Sequence, residues 1–134
     1  MSVSSPRIVA IVDDDRNLRG ALRDLLETAG FTSVLFGSAD EFIASKGFLT
    51  VGCIIADVRM PGMSGVEMLR ELRKHPTCPP VLIMTSYVDP KMKADAMRNG
   101  AVGFLGKPIN PVQLLAYIEK FFTDTADPAS VGDE

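Results

Sequence analysis

Five polar groups stand where short apolar runs end, and together they could carry phosphoryl chemistry. Asp13 and Asp14 follow the run that begins at Arg7, and Asp57 follows the continuous apolar stretch Gly52 to Ala56. Thr85 closes Val81 to Met84, and Lys107 with Pro108 follows Val102 to Leu105. Crowded carboxylates raise one another's pKa unless something neutralises them. Mg²⁺, a hard cation, does so by bridging one or two carboxylates to a phosphate while keeping waters. A carboxylate beside such an ion can attack phosphorus and form an acyl phosphate. An ammonium and a hydroxyl can then hold the transferred oxygens. Singly, each residue has a plainer reading: Asp57 caps a turn, Asp13 and Asp14 supply acidity at a helix N-terminus, Thr85 is a strand residue and Lys107 a solvated charge. Their joint placement at strand ends argues for one site.

The elements that must position them alternate along the chain. Arg7 to Val12 reads as a first strand, and Asn17 to Ala29 as a helix with Leu18, Leu22, Leu25 and Leu26 at helical spacing, ended by Gly30. Val34 to Phe36 is a second strand. Ser38 with Glu41 has the capping-box pattern that opens a short helix presenting Phe42 and Ile43. Gly52 to Ala56 is a strand covered on both sides. Ser64 with Glu67 repeats the capping box and starts a helix to about Lys74, stopped by the Pro-rich stretch Pro76 to Pro80. Val81 to Met84 is the fourth strand, Pro90 to Asn99 the fourth helix, and Val102 to Leu105 the fifth strand. Asn110 before Pro111 opens a last helix through Phe122. Strands alternating with helices, and no hairpin signal, imply a parallel sheet with helices on both faces and right-handed crossovers. In such a sheet the polar strand ends gather at the carboxyl edge, where ligands bind.

Composition excludes several classes. The 134 residues fit one domain with a single substantial core. Hydrophobic residues at 46% and charged residues at 23% are ordinary for a globular protein. Net charge is -3, and the segment after Phe122 holds Asp124, Asp127, Asp133 and Glu134 without a Lys or Arg. The remaining 13 acidic residues face 14 basic ones, so no basic surface points to direct nucleic-acid binding. Residues 123–134 read as an acidic flexible tail or the start of a linker. Met1 to Pro6 is too short and polar for a signal peptide, and no apolar run spans a bilayer, so a cytoplasmic location is expected. Cys53 and Cys78 lack metal-site spacing and are expected to be idle thiols rather than a disulfide. His75, the one histidine, suits the C-terminal end of a helix. Lys91 and Lys93 suit a solvated face.

The runs Val12-Asp13-Asp14-Asp15, Asp57-Val58-Arg59-Met60-Pro61-Gly62-Met63-Ser64-Gly65, Met84-Thr85-Ser86 and Lys107-Pro108 resemble the receiver domain of two-component response regulators, over residues 7–122. The stretch from Asp57 to Gly65 looks most like receivers of the FixJ-like group. The resemblance implies a flavodoxin-like, doubly wound sheet of five parallel strands in the order 2-1-3-4-5 with five helices. It implies that Asp57 is the phosphoacceptor, taking phosphoryl from the phosphohistidine of a histidine kinase or phosphotransfer protein. Asp14 is then the direct Mg²⁺ ligand, Asp13 supports it, and the Asp57 side chain and Arg59 backbone carbonyl complete the protein's share. Lys107 matches the site lysine, with a cis bond to Pro108. Thr85 matches the switch hydroxyl and Phe104 the aromatic that swings inward with it, while small Ser86 leaves room for the phosphoryl group. The face made by the fourth helix, fifth strand and fifth helix is the one an unknown downstream protein would read, and transient homodimerisation there is compatible with the resemblance. Receivers also catalyse their own phosphotransfer and slow hydrolysis.

Arg59 and Tyr87 lie two residues after Asp57 and Thr85. Long Arg59 and bulky Tyr87 are expected to obstruct in-line water and prolong the phosphorylated state. A close variant of this function is the receiver part of a longer DNA-binding transcriptional regulator. A remote alternative is a haloacid-dehalogenase-like phosphohydrolase, which also uses an Asp nucleophile and Mg²⁺. Arg59 occupies the place where such enzymes usually carry a second Asp for acid–base work.

Overall fold

The computed structural model describes residues 7–126. Five short strands, β1 (Ile8–Val12), β2 (Thr32–Phe36), β3 (Cys53–Asp57), β4 (Val81–Thr85) and β5 (Gly103–Gly106), form one sheet in the order β2-β1-β3-β4-β5. Every pairing is parallel. Four helices connect them, α1 (Arg16–Thr28), α2 (Ala39–Ser45), α3 (Gly65–Leu72) and α4 (Pro90–Arg98), and a fifth, α5 (Pro111–Ala126), follows β5. The expected topology holds.

Alternation along each strand sends side chains to two separate cores. Ala10, Val12, Ile54, Ala56, Val81 and Ile83 pack with Phe42, Met68, Leu69 and Leu72 under α2 and α3. Val9, Ile11, Ile55, Leu82 and Met84 pack on the opposite face with Leu22, Leu26, Leu114 and Ile118 from α1 and α5. Because both faces are covered, every residue of β3 and β4 is buried. Continuous apolar runs in the sequence follow from that double cover.

Local chemistry sets the helix ends. The Asp15 carboxylate accepts from the N–H groups of Asn17 and Leu18 to cap α1. Ser64 and Glu67 form the full reciprocal capping box on α3. The box foreseen at Ser38 is only half made: Ser38 accepts from the Glu41 N–H, but the Glu41 carboxylate turns back to the N–H of Gly37. Asp89, which the sequence pattern passed over, caps α4 ahead of Pro90. Helix α5 continues past Phe122 to Ala126. Its apolar stripe ends earlier, but no Gly or Pro interrupts the chain before Pro128, so nothing stops the backbone ladder. The rest of the expected acidic tail, residues 127–134, lies outside the described residues. Both cysteines are free, Cys53 buried and Cys78 exposed. The His75 ring lies against Phe48, 4.6 Å between centroids.

One close approach matters for the site. A Cβ on Gly65 would lie 2.5 Å from the Asp57 backbone carbonyl oxygen, so only glycine lets α3 begin so near the end of β3. Because the obstacle is backbone, it cannot rotate aside. Gly65→Ala is expected to destabilise the fold by about 1–3 kcal/mol, the usual cost of overpacking. Chemical denaturation of the two proteins measures it, and equal midpoints would contradict the close approach.

Candidate functional site

The parallel register brings the strand ends level. Val12 pairs with Ala56, so the next residues, Asp13 and Asp57, emerge side by side at the carboxyl edge. Thr85 pairs with Gly106 on the other side, immediately before Lys107. One carboxylate oxygen from each of Asp13, Asp14 and Asp57 lies within 4.8 Å of the others. Asp13 is fully buried, Asp57 is 7% exposed, and Thr85 is 1% exposed.

Lys107 faces this cluster. Its ammonium donates to Asp13 Oδ2 at 2.9 Å and stands 3.5 Å from Asp57 Oδ1. Asp13 is held from two further directions: its Oδ1 accepts from the Asp15 N–H at 2.8 Å, and its backbone carbonyl accepts from Arg19 at 2.7 Å. Arg19, projecting from α1, escaped the sequence reading because no motif marks a helix residue that reaches back to a strand end. The Lys107–Pro108 bond is cis, as expected.

Burial raises the Asp57 carboxyl above its ordinary value of 3.8, and the Asp13 charge pushes it further. Lys107 and the Val58 N–H only partly offset this. For Lys107, burial pulls the ammonium down, but its bonds to Asp13 and Asp57 more than compensate and leave it raised above 10.5. Three carboxylates against one ammonium leave a surplus of negative charge in a partly dehydrated cup. An all-oxygen donor set with that surplus fits a hard divalent cation better than a transition metal seeking nitrogen or sulfur.

Thr85 is brought to the site but is otherwise engaged. Its hydroxyl donates to the Tyr87 carbonyl at 2.9 Å and accepts from the Tyr87 N–H at 3.2 Å. The Lys107 N–H in turn donates to the Thr85 carbonyl at 2.6 Å. The Tyr87 side chain is 68% exposed, and the side chain of Arg59 is exposed as well. Phe104 is half-buried against the core under α2, α3 and α4. Ser86 is exposed beside Thr85. Lys91 and Lys93 are exposed on α4.

A five-stranded parallel sheet in this order, with an acidic pocket at its carboxyl edge, defines a flavodoxin-like α/β domain. Residues 9–119 match the response regulator receiver domain family, and the chain belongs to it. It is 39% identical over 122 residues to the transcriptional regulatory protein FixJ of Bradyrhizobium diazoefficiens, covering 91% of this chain and 59% of that protein. It is 34% identical over 113 residues to the DNA-binding transcriptional regulator NtrC of Salmonella typhimurium, covering 84% of this chain and 24% of that one. Among solved structures, full-length FixJ from B. japonicum superposes with a TM-score of 0.83 at 36% identity, over 95% of this chain and 63% of that chain. A CheY-like receiver domain protein from Methanospirillum hungatei superposes with a TM-score of 0.83 at 25% identity, over 90% and 97% of the two chains. The chain therefore spans about three fifths of its FixJ relative and much less of NtrC. It is a receiver domain of two-component signalling, similar in sequence to the matching part of FixJ. Receiver domains typically bind Mg²⁺ at an acidic pocket, and this chain has such a pocket. Among the described residues no helix is long and apolar enough to cross a membrane.

The raised Asp57 carboxyl carries a stability consequence. As pH rises above 3.8, the unfolded chain releases this proton before the folded chain does, so stability falls until pH passes the raised folded value. Below 3.8 both states are protonated and the cost vanishes. Asp57→Asn is thus expected to melt at a higher temperature than wild type at neutral pH without divalent cations. That advantage should disappear toward strong acid, and Mg²⁺ should raise the melting temperature of wild type more than that of Asp57→Asn. Thermal melts across pH, with and without Mg²⁺, check all three; a variant less stable at neutral pH would contradict the crowding.

Proposed function

We propose that this domain accepts a phosphoryl group on Asp57 from the phosphohistidine of a histidine kinase or phosphotransfer protein, in the cytoplasm. The observation that supports this best is the meeting of Asp13, Asp14, Asp57 and Lys107 at one strand edge, from residues up to 94 positions apart. Asp13, Asp14, the Asp57 side chain and the Arg59 backbone carbonyl are the groups that would hold Mg²⁺. When bound, the cation would neutralise the charge that gathers on the transferring phosphoryl oxygens.

The chain's own residues do the rest. An Asp57 carboxylate oxygen attacks phosphorus as the bond to the donor breaks, and the product is an aspartyl phosphate. Lys107, already within reach of Asp57, supplies a point charge to the new oxygens. Modification turns a carboxylate into a group with more acceptor oxygens and more negative charge. Thr85 then gains a partner stronger than the Tyr87 backbone it now holds, and Phe104 moves inward behind it. This biases the face formed by α4, β5 and α5, where Met97, Val102 and Val112 are exposed, toward binding a downstream protein or a second copy of the chain. An apolar groove beside Lys107, lined by Leu18, Leu22, Leu25, Ile109 and Pro111, offers the phosphoryl donor a surface to rest on. Catalysis is limited to the domain's own phosphorylation and slow hydrolysis of the product. The names of the FixJ and NtrC relatives favour a second reading, in which this receiver governs a DNA-binding half of a longer regulator. On either reading residues 7–122 are the receiver.

Incubation with acetyl phosphate and Mg²⁺, followed by intact mass measurement, should add one phosphoryl group to wild type and none to Asp57→Asn or to wild type with chelator. An adduct on Asp57→Asn would move the acceptor elsewhere. We assign Arg59 and Tyr87 to timing: both side chains are exposed, and each lies two residues after a residue of the site, Asp57 or Thr85, from where it would obstruct attacking water. Tyr87→Ala should shorten the phosphoryl lifetime several-fold once acetyl phosphate is removed; an unchanged or longer lifetime would exclude steric gating by Tyr87.

A further inference from the structure

The loop of residues 59–64, between β3 and α3, hangs between two fixed points. Upstream, the Val58 N–H donates to the Met84 carbonyl at 2.9 Å, and the Val58 carbonyl accepts from Gly65 at 3.0 Å. Downstream, Ser64 is locked into its capping box with Glu67. In between, Gly62 adopts a φ of 79°, a left-handed conformation that glycine adopts freely. The next N–H, that of Met63, donates to Asp40 Oδ2 at 3.1 Å. Asp40 comes from the first turn of α2, a different element, and its side chain lies close over the loop: a Cβ on Gly62 would be 2.5 Å from Asp40 Oδ2. The helix dipole explains why an acid is favoured in that first turn. It does not explain the reach to Met63.

We propose that Asp40 is a positioning residue for the metal site, acting through the loop on the Arg59 carbonyl. This rests on the assignment of that carbonyl to Mg²⁺. A backbone carbonyl has no rotamer of its own, so its aim is set by the path of the loop that carries it. With Met60 buried and Met63 packed on the core, the Asp40 bond ties down the backbone next to Gly62, where the loop turns through its left-handed conformation. Without that bond the loop samples more conformations, and the carbonyl must be ordered at the moment the cation binds.

The test uses the whole chain and Mg²⁺ alone, titrated by calorimetry, with acetyl phosphate labelling at increasing Mg²⁺ as a second readout. Asp40→Ala is expected to weaken Mg²⁺ binding about 10-fold, at the low end for groups that support a metal ligand. Because Asp40 is exposed, the metal-free melting temperature should move by no more than a few degrees. Labelling should recover at saturating Mg²⁺. Asp40→Asn keeps an acceptor oxygen and should retain most of the affinity, whereas Gly62→Ala, whose methyl group displaces the carboxylate, should lose it. Wild-type affinity in Asp40→Ala would overturn the proposal, as would Asp40→Asn falling as far as Asp40→Ala, since the effect would then be charge alone. A wild-type chain that takes up no Mg²⁺ would overturn the metal site itself, and the role of Asp40 with it.

Discussion

Asp13 and Asp57 are forced together by the register of β1 and β3, and the ammonium of Lys107 is set against both. Buried like charges at that distance are costly, and one cation of the protein's own does not neutralise them. The rest of the site answers this surplus. Asp13 is braced by Asp15 and Arg19, the Asp57 carboxyl is pushed up by burial and by its neighbour, and Asp14 remains exposed at the rim where a hydrated cation can reach it. Unfavourable electrostatics of this kind are what a hard divalent cation would relieve at such a pocket.

Such a pocket survives because the scaffold beneath it is so regular. Two apolar layers, divided by strand alternation, enclose β3 and β4 completely, and their burial outweighs the local cost of the charges. Conversely, the site borrows its precision from that rigidity: strands hold Asp57 and Thr85, and the loops that follow them are short and tied back to the sheet. The Val58–Met84 and Lys107–Thr85 backbone bonds continue the sheet's own pattern past the last paired residues.

Thr85 satisfies its hydroxyl within its own loop through two bonds to Tyr87, an arrangement that is complete without any contact to Asp57. To recruit this hydroxyl, a new charged acceptor near Asp57 would have to outcompete those two bonds. Phe104, only half-buried, lies near the exposed apolar residues Met97 of α4 and Val102 just before β5.

Much of this is legible in the chain of residues. Apolar runs of strand length, helical spacing of leucines, Ser64 with Glu67 and Asn110 with Pro111 mark the elements, because each depends on chemistry within a few positions. The polar residues closing those runs mark the site, since a parallel sheet sends every strand end to one edge. What depends on distance in sequence escaped. Asp40 holding the Met63 N–H, 23 positions away, follows from how α2 meets the loop after β3, whereas Arg19 reaching the Asp13 carbonyl, Glu41 turning to Gly37 and Thr85 bonded to Tyr87 are short-range bonds among which local pattern does not choose. Residue types and local periodicity therefore settle which groups arrive at the carboxyl edge. The aim of each group there, and the charge it must bear, are settled by sheet register and burial, which exist only once distant segments have packed.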